Sequence, residues 1–139
     1  MEERFYFCET CGNLLISAIA SGVLPYCCGK EMTLLKANVT DGDKEKHVPV
    51  FELKSDNMMR IEVGTEPHPM TNKHGIRFIC LKTTTEFIVR YLKENEPPEA
   101  CIRFTGKPMA VYAYCNIHGL WRANVPDECT SECGRSCKI

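Results

Sequence analysis

From residue 46 onward the chain runs in brief bursts of β-prone residues, without the three-to-four-residue rhythm of an amphipathic helix. Such runs occupy 47–53, 58–63, 76–81, 86–92, 100–104, 110–114 and 120–124. Turn formers fill most of the gaps, among them Ser55-Asp56-Asn57 and Thr105-Gly106-Lys107. Short strands at this spacing predict an all-β domain, a small antiparallel β-sandwich of immunoglobulin-like architecture.

Residues 1–36 have a different texture. Phe5-Tyr6-Phe7 leads into Cys8-x-x-Cys11 and Leu14-Leu15-Ile16 follows it, a hairpin-rich unit too small to stand on a hydrophobic core alone. Residues 37–44, with Asp41-Gly42, read as a connecting turn. The expected organisation is a four-cysteine unit over 1–36, a β-sandwich over 37–125 and a cysteine-containing extension over 126–139. The sequence holds no internal repeat and no low-complexity tract.

Hydrophobic residues make up 44% of the 139 and charged residues 25%, the proportions of a folded globular protein. A net charge of -1 with scattered lysines supplies no basic field for nucleic acid. The longest apolar stretch, 14–24, is too short to span a membrane and contains Ser17, Ser21 and Gly22. Glu2, Glu3 and Glu9 precede it, where a secretory signal has a basic start. A cytoplasmic protein with neither nucleic acid nor membrane as partner is therefore expected.

In a reducing compartment, 10 cysteines point to metal or redox chemistry rather than structural disulfides. Cys8, Cys11, Cys27 and Cys28 supply four thiolates, enough to close a tetrahedral site around iron or zinc. Spacing does not choose between a structural zinc knot and iron. The contiguity of Cys27 and Cys28 argues for iron, since neighbouring residues strain the aim of their two sulfurs. A site filled by protein ligands supports folding or passes electrons and has no room for a substrate.

All four histidines fall in the sandwich region: His47, His68, His74 and His118, the last three residues beyond Cys115. Any one of them alone is more often a surface or core residue than a ligand. As a set, at loop positions among prolines and turn formers, they can converge at one end of a sandwich.

The segments that carry these residues are Glu45-Lys46-His47-Val48-Pro49-Val50, Pro67-His68-Pro69-Met70, Lys73-His74 and Cys115-Asn116-Ile117-His118-Gly119-Leu120-Trp121. With the cysteine quartet, which is similar to that of desulforedoxin, they resemble the desulfoferrodoxins, a class of superoxide reductases, over residues 5 to about 124. The resemblance implies two irons per chain, Fe(Cys)4 at the quartet and Fe(His)4(Cys) in the sandwich. It implies His47, His68, His74 and His118 around the second iron, Cys115 axial, and a sixth position open in the ferrous state. It also implies one-electron reduction of superoxide to hydrogen peroxide without release of oxygen. The chemistry agrees: imidazoles suit ferrous iron, a thiolate pushes electron density toward the opposite ligand, and a net positive centre attracts an anion.

Two further roles come with the resemblance. Lys46 would attract superoxide and assist protonation, and Glu45 would ligate the resting ferric iron and leave on reduction. A rubredoxin-like electron donor and a homodimer are likewise implied. The rival readings are a non-catalytic iron electron-transfer protein and a structural zinc module.

The chain departs from the pattern at Gly75, where many relatives carry an aromatic residue that shields the iron. Cys80 and Cys101 lie on expected strands and read as small core residues, and Trp121 as core packing near the site. Cys129, Cys133 and Cys137 recur every fourth residue, so on a helix they would form a stripe drifting by about 40° per step. Three thiols are one short of a tetrahedral set, which leaves a silent extension, a redox-active tail and a further metal site as alternatives. Every residue assigned to a site precedes Asn124, so a chain cut after Asn124 is expected to keep both sites in place.

Overall fold

A computed structural model of the chain describes residues 4–39, 44–64 and 68–127, apart from the side chains of Lys44 and Glu45. The Cys129, Cys133 and Cys137 tail lies outside the described residues. The chain forms two compact units, Met1–Lys36 and Ala37–Ile139.

The first unit is built from hairpins. Strands β1 (Arg4–Phe7), β2 (Leu14–Ser17) and β5 (Thr33–Leu34) form an antiparallel sheet in the order β2-β1-β5. Strands β3 (Tyr26–Cys27) and β4 (Lys30–Glu31) form a second, two-stranded ribbon. Among the described residues Tyr6, Cys8 and Met32 form its buried cluster, with Leu24, Cys27 and Leu34 packed against it, and Phe5 is buried as well. So few apolar side chains repay little of the entropy of ordering 36 residues.

The second unit opens with one helical turn, α1 (Lys44–His47). Seven strands follow: β6 (Pro49–Ser55), β7 (Met58–Val63), β8 (Ile76–Thr83), β9 (Phe87–Tyr91), β10 (Glu99–Arg103), β11 (Pro108–Cys115) and β12 (Gly119–Asn124). They make two antiparallel sheets, β10-β7-β6 and β12-β11-β8-β9. Strands one, two and five of the domain thus form one layer and three, four, six and seven the other, an immunoglobulin-like sandwich. Unlike the constant-domain arrangement, the fourth strand stays beside the third.

Burial alternates along β6 and β7, as a sheet with one covered face imposes. In β7, Met59, Ile61 and Val63 point inward while Met58, Arg60 and Glu62 face out, and Phe51 and Leu53 of β6 join the same core. Ile79 and Leu81 of β8 and Val111, Ala113 and Cys115 of β11 cover it from the opposite sheet.

Two expectations change. The strand expected from residue 47 begins at Pro49, because His47 closes the helical turn that precedes it. Cys80 is a core residue, but Cys101 is exposed, since Ala100 and Ile102 take the inward positions of β10 and leave the residue between them outside. Val125, the last residue of the expected sandwich, is buried in the core and its amide donates to the Met109 carbonyl at 2.9 Å.

Candidate metal centres

In the first unit, the four cysteines come from two tight turns. Gly12 closes the first by donating its amide to the Cys8 carbonyl at 2.8 Å. The second is the two-residue link between β3 and β4, where Cys28 and Gly29 both have positive φ, 54° and 78°, as a type I′ hairpin turn requires. The left-handed backbone at Cys28 swings its sulfur round beside that of Cys27, which resolves the geometric conflict of adjacent ligands. Left-handed backbone is uncommon and unfavourable for a residue with a Cβ, and here the two-residue hairpin turn imposes it.

The sulfurs of Cys11 and Cys27 are 3.6 Å apart and those of Cys27 and Cys28 are 4.0 Å apart. Both distances are far beyond a disulfide bond. They bracket the ~3.8 Å edge of a tetrahedron with metal–sulfur bonds of about 2.3 Å. The protonation pattern leads to the same conclusion. The Cys11 backbone amide, bonding to the Cys8 sulfur, holds that thiol down at about 6. Cys28 is pushed up to about 12, first by its contacts with the sulfurs of Cys11 and Cys8, and Cys27 is raised by its contacts with the same two sulfurs. Four thiols this close cannot all ionise unless a cation joins them, and a bound metal ion provides one.

At the second centre, the donor atoms of His47, His68, His74, His118 and Cys115 all lie within 4.8 Å of one another. His47 comes from the end of α1, His68 and His74 from the loop between β7 and β8, and Cys115 and His118 from the turn joining β11 to β12. That turn is pinned by the Cys115–Gly119 pair and by the positive φ of Gly119.

The four imidazoles form a closed cycle in the order 47, 68, 74, 118. Neighbouring ring centroids are 4.5, 4.8, 4.9 and 4.6 Å apart, and their planes are inclined at 80°, 79°, 63° and 73°. The Nε2 atoms of His47 and His68 are 2.9 Å apart, and Nε2 of His74 lies 3.2 Å from Nδ1 of His118. Adjacent nitrogens around one metal ion, with bonds of about 2.1 Å at right angles, are separated by ~3.0 Å. The residues therefore fit a metal with four imidazoles and one thiolate, a set suited to ferrous iron.

Neighbouring groups prepare the donors. Nδ1 of His68 donates to the Pro69 carbonyl at 2.6 Å, which leaves Nε2 as the lone-pair nitrogen. Burial holds His68 down at about 4, and the other rings of the cluster add to this. His74 is also lowered, first by burial, then by His118 and His47, then by the charges of Arg77 and Lys46. Both rings are thus neutral and ready to ligate at ordinary pH. Burial raises the Cys115 thiol, opposed by the backbone amides of His118 and Ile117. His118 N–H reaches the Cys115 sulfur at 3.4 Å. His47 and His68 are buried, whereas His74 and His118 are half-buried and Ile117 beside them is 56% exposed. Access is thus from one side.

Lys46 is half-buried and its charge reaches His74, which places it near the site. The backbone of Glu45 belongs to α1, but its side chain lies outside the described residues. Two supporting residues carry no assignment from sequence alone. Trp121, read only as packing, stacks on His47 and donates its indole N–H to the His118 carbonyl at 3.0 Å. Asn116 accepts from the Gly75 amide at 2.9 Å and donates to the Lys73 carbonyl at 2.9 Å, tying the His74 loop to the Cys115 turn. Its place between two donors, in Cys115-Asn116-Ile117-His118, was the available signal.

A tetrathiolate site in the small unit and a half-exposed His4Cys site at one end of a β-sandwich define a metalloprotein with two unlike centres. The family model described as Desulfoferrodoxin matches residues 39–124. Over 116 residues the chain is 41% identical to a desulfoferrodoxin of Syntrophotalea carbinolica, covering 84% of this chain and 91% of that one. It is 38% identical over 112 residues to a superoxide reductase of Pyrococcus horikoshii, covering 66% of this chain and 97% of that one. Among solved structures, the superoxide reductase from Treponema pallidum superposes with a TM-score of 0.73 at 26% identity, covering 88% of this chain and 97% of that one. The chain belongs to the desulfoferrodoxin family.

Proposed function

We propose that this protein is a superoxide reductase that works at the His4Cys centre, with iron in both sites. The observation that carries the reading is the convergence of four imidazoles and a buried thiol at a half-exposed end of the sandwich. Iron bound there supplies the single electron that superoxide takes up, with two protons, to leave as hydrogen peroxide.

His47, His68, His74 and His118 would hold the iron as neutral ligands, so that a divalent ion with one Cys115 thiolate keeps a net positive charge. Lys46 adds a second positive charge beside His74 and draws the superoxide anion to that side. Its ammonium, or water it orders, delivers a proton to the departing product. Glu45 supplies a carboxylate next to His47 in the chain that would hold the resting ferric state and withdraw on reduction.

Cys8, Cys11, Cys27 and Cys28 would hold the other iron. With all four positions taken by protein, that centre relays electrons or maintains the fold of its unit. A rubredoxin-like carrier as donor, a cytoplasmic location and a homodimer complete the proposal. Ile19, Val23 and Tyr26 of the first unit are exposed, and pairing of two copies would cover such apolar surface. Among the described residues, no helix is long and apolar enough to cross a membrane.

The test is metal analysis of the purified protein combined with stopped-flow mixing of the reduced form with superoxide. Two irons per chain and stoichiometric peroxide without oxygen are expected. Zinc in both sites, or no reaction with superoxide, defeats the proposal.

A further inference from the structure

Antiparallel pairing of β8 with β11 is regular from Lys82–Ala110 to Phe78–Tyr114 and then jumps to Ile76–Cys115. Arg77 is the residue skipped. A bulge of this kind leaves one side chain out of the ladder and re-aims it, and here the bulge adjoins the pair Ile76–Cys115 that holds a candidate ligand. The guanidinium turns back over the loop that carries His74. Nη1 donates to the Thr71 carbonyl at 3.2 Å and Nη2 to the Asn72 carbonyl at 2.6 Å.

Gly75 makes that position available. A Cβ there would lie 3.4 Å from Nη1 of Arg77 and 3.1 Å from the Thr71 carbonyl that Arg77 binds. Such a Cβ would touch the guanidinium at ordinary contact distance and crowd the carbonyl that the guanidinium binds, so the glycine leaves that contact undisturbed. The glycine that looked like a missing shield has a positively charged occupant beside it.

We propose that Arg77 is a positioning residue of the His4Cys centre: from the β8 bulge it braces the His74 loop and fixes a permanent positive charge beside His74 and Cys115. The brace is independent of iron, while the charge acts through the metal reading above and rests on it. The loop is tied on three sides: at Thr71 and Asn72 by Arg77, at Lys73 and Gly75 by Asn116, and internally by the Thr71 amide donating to the His74 carbonyl at 2.9 Å. Of these ties only Arg77 is ionised, and a charge-assisted donor shared by two carbonyls is the strongest of them. Its positive charge also makes the reduced, less positive thiolate-bound state harder to leave, so it raises the potential at which the centre gives up its electron.

Arg77→Met and Arg77→Lys test both parts. In metal-free protein, Arg77→Met should speed hydrogen exchange at the amides of Thr71, His74 and Gly75 by about tenfold or more, because both guanidinium bonds to the loop are lost. The amides of Ile79 and Ala113 in the same sheet should exchange as in the parent. In iron-loaded protein, the midpoint potential of the His4Cys centre should fall in Arg77→Met and return toward the parent value in Arg77→Lys. Loop exchange equal to that of the parent overturns the brace, and equal potentials in parent and Arg77→Met overturn the charge. If the parent takes up no iron at this centre, the function proposed above fails by that result, and the exchange experiment still decides on Arg77.

Discussion

The indole of Trp121 stacks on the imidazole of His47, with centroids 4.9 Å apart and planes inclined at 23°. One buried ring thus fixes the plane of one candidate ligand while its N–H holds the backbone of another, His118. Trp121→Phe keeps a stacking face and loses the hydrogen bond, which costs about 1 kcal/mol. It is expected to weaken iron retention at the His4Cys centre roughly fivefold and leave the tetrathiolate centre unchanged, as chelator competition followed by visible absorption would record. Trp121→Ala should cost the fold itself about 3–5 kcal/mol by leaving a cavity. Equal iron retention in parent and Trp121→Phe would remove the indole from the account of the site.

Ligand removal should separate the centres. His74→Ala or Cys115→Ser is expected to abolish superoxide reduction while the first centre stays loaded, because the two sets of donors come from different units. Iron quantification by centre and a peroxide assay check this, and retained activity in either variant contradicts the ligand assignment.

Lys46→Ala should slow capture of superoxide and flatten its dependence on ionic strength, since an attracting charge is removed from beside His74. Capture rates measured across a range of salt provide the check. A rate at low salt equal to that of the parent would leave Lys46 without a steering role.

The metal-free protein should lose stability as pH falls from about 6.5 toward 4. His68 has its folded value lowered to about 4, so between these values the unfolded chain binds a proton that the folded chain refuses. Stability is therefore intact above the unfolded value and declines below it, by about 3 kcal/mol when the shift is fully expressed. Urea midpoints of the metal-free parent and His68→Gln at pH 7 and pH 4.5 give the comparison, and an equal drop in both would assign the loss elsewhere.

Truncation is expected to preserve both centres when the cut follows Asp127, and to destabilise the sandwich when it follows Asn124. The shorter chain lacks Val125, a buried residue whose amide bonds to Met109, and Asp127, which pairs with Lys107. Thermal melts and iron content of the two truncated chains decide between the cuts.

Much of the fold and of the site is legible in the sequence alone. The β-prone runs over 58–63 and 76–81 mark strands because branched and aromatic side chains fit a pleated, buried surface, and 58–63 shows the two-residue period of a half-buried sheet as well. Clustered histidines in turn-rich segments mark the site because loops at a sandwich end are free to converge. Other features depend on register. Cys101 and Cys80 look alike in the sequence, and only their pairing puts one outside and the other in the core. Arg77 owes its direction to a one-residue slip between Phe78 and Ile76 that leaves no compositional trace. The helical turn at Lys44–His47 is too short to generate a periodic signal.

The tetrathiolate cluster makes the first unit a conditional structure. Among the described residues its buried side chains are Phe5, Tyr6, Cys8 and Met32, and one of them, Cys8, is itself a donor. Removal of the ion leaves crowded thiols, a left-handed Cys28 and little apolar surface to resist opening, while the sandwich retains its own core. In a cell short of iron, newly made chains would then present proteases with an unfolded leader on an intact body. Degradation would begin at that end, and the number of surviving molecules would follow the supply of metal.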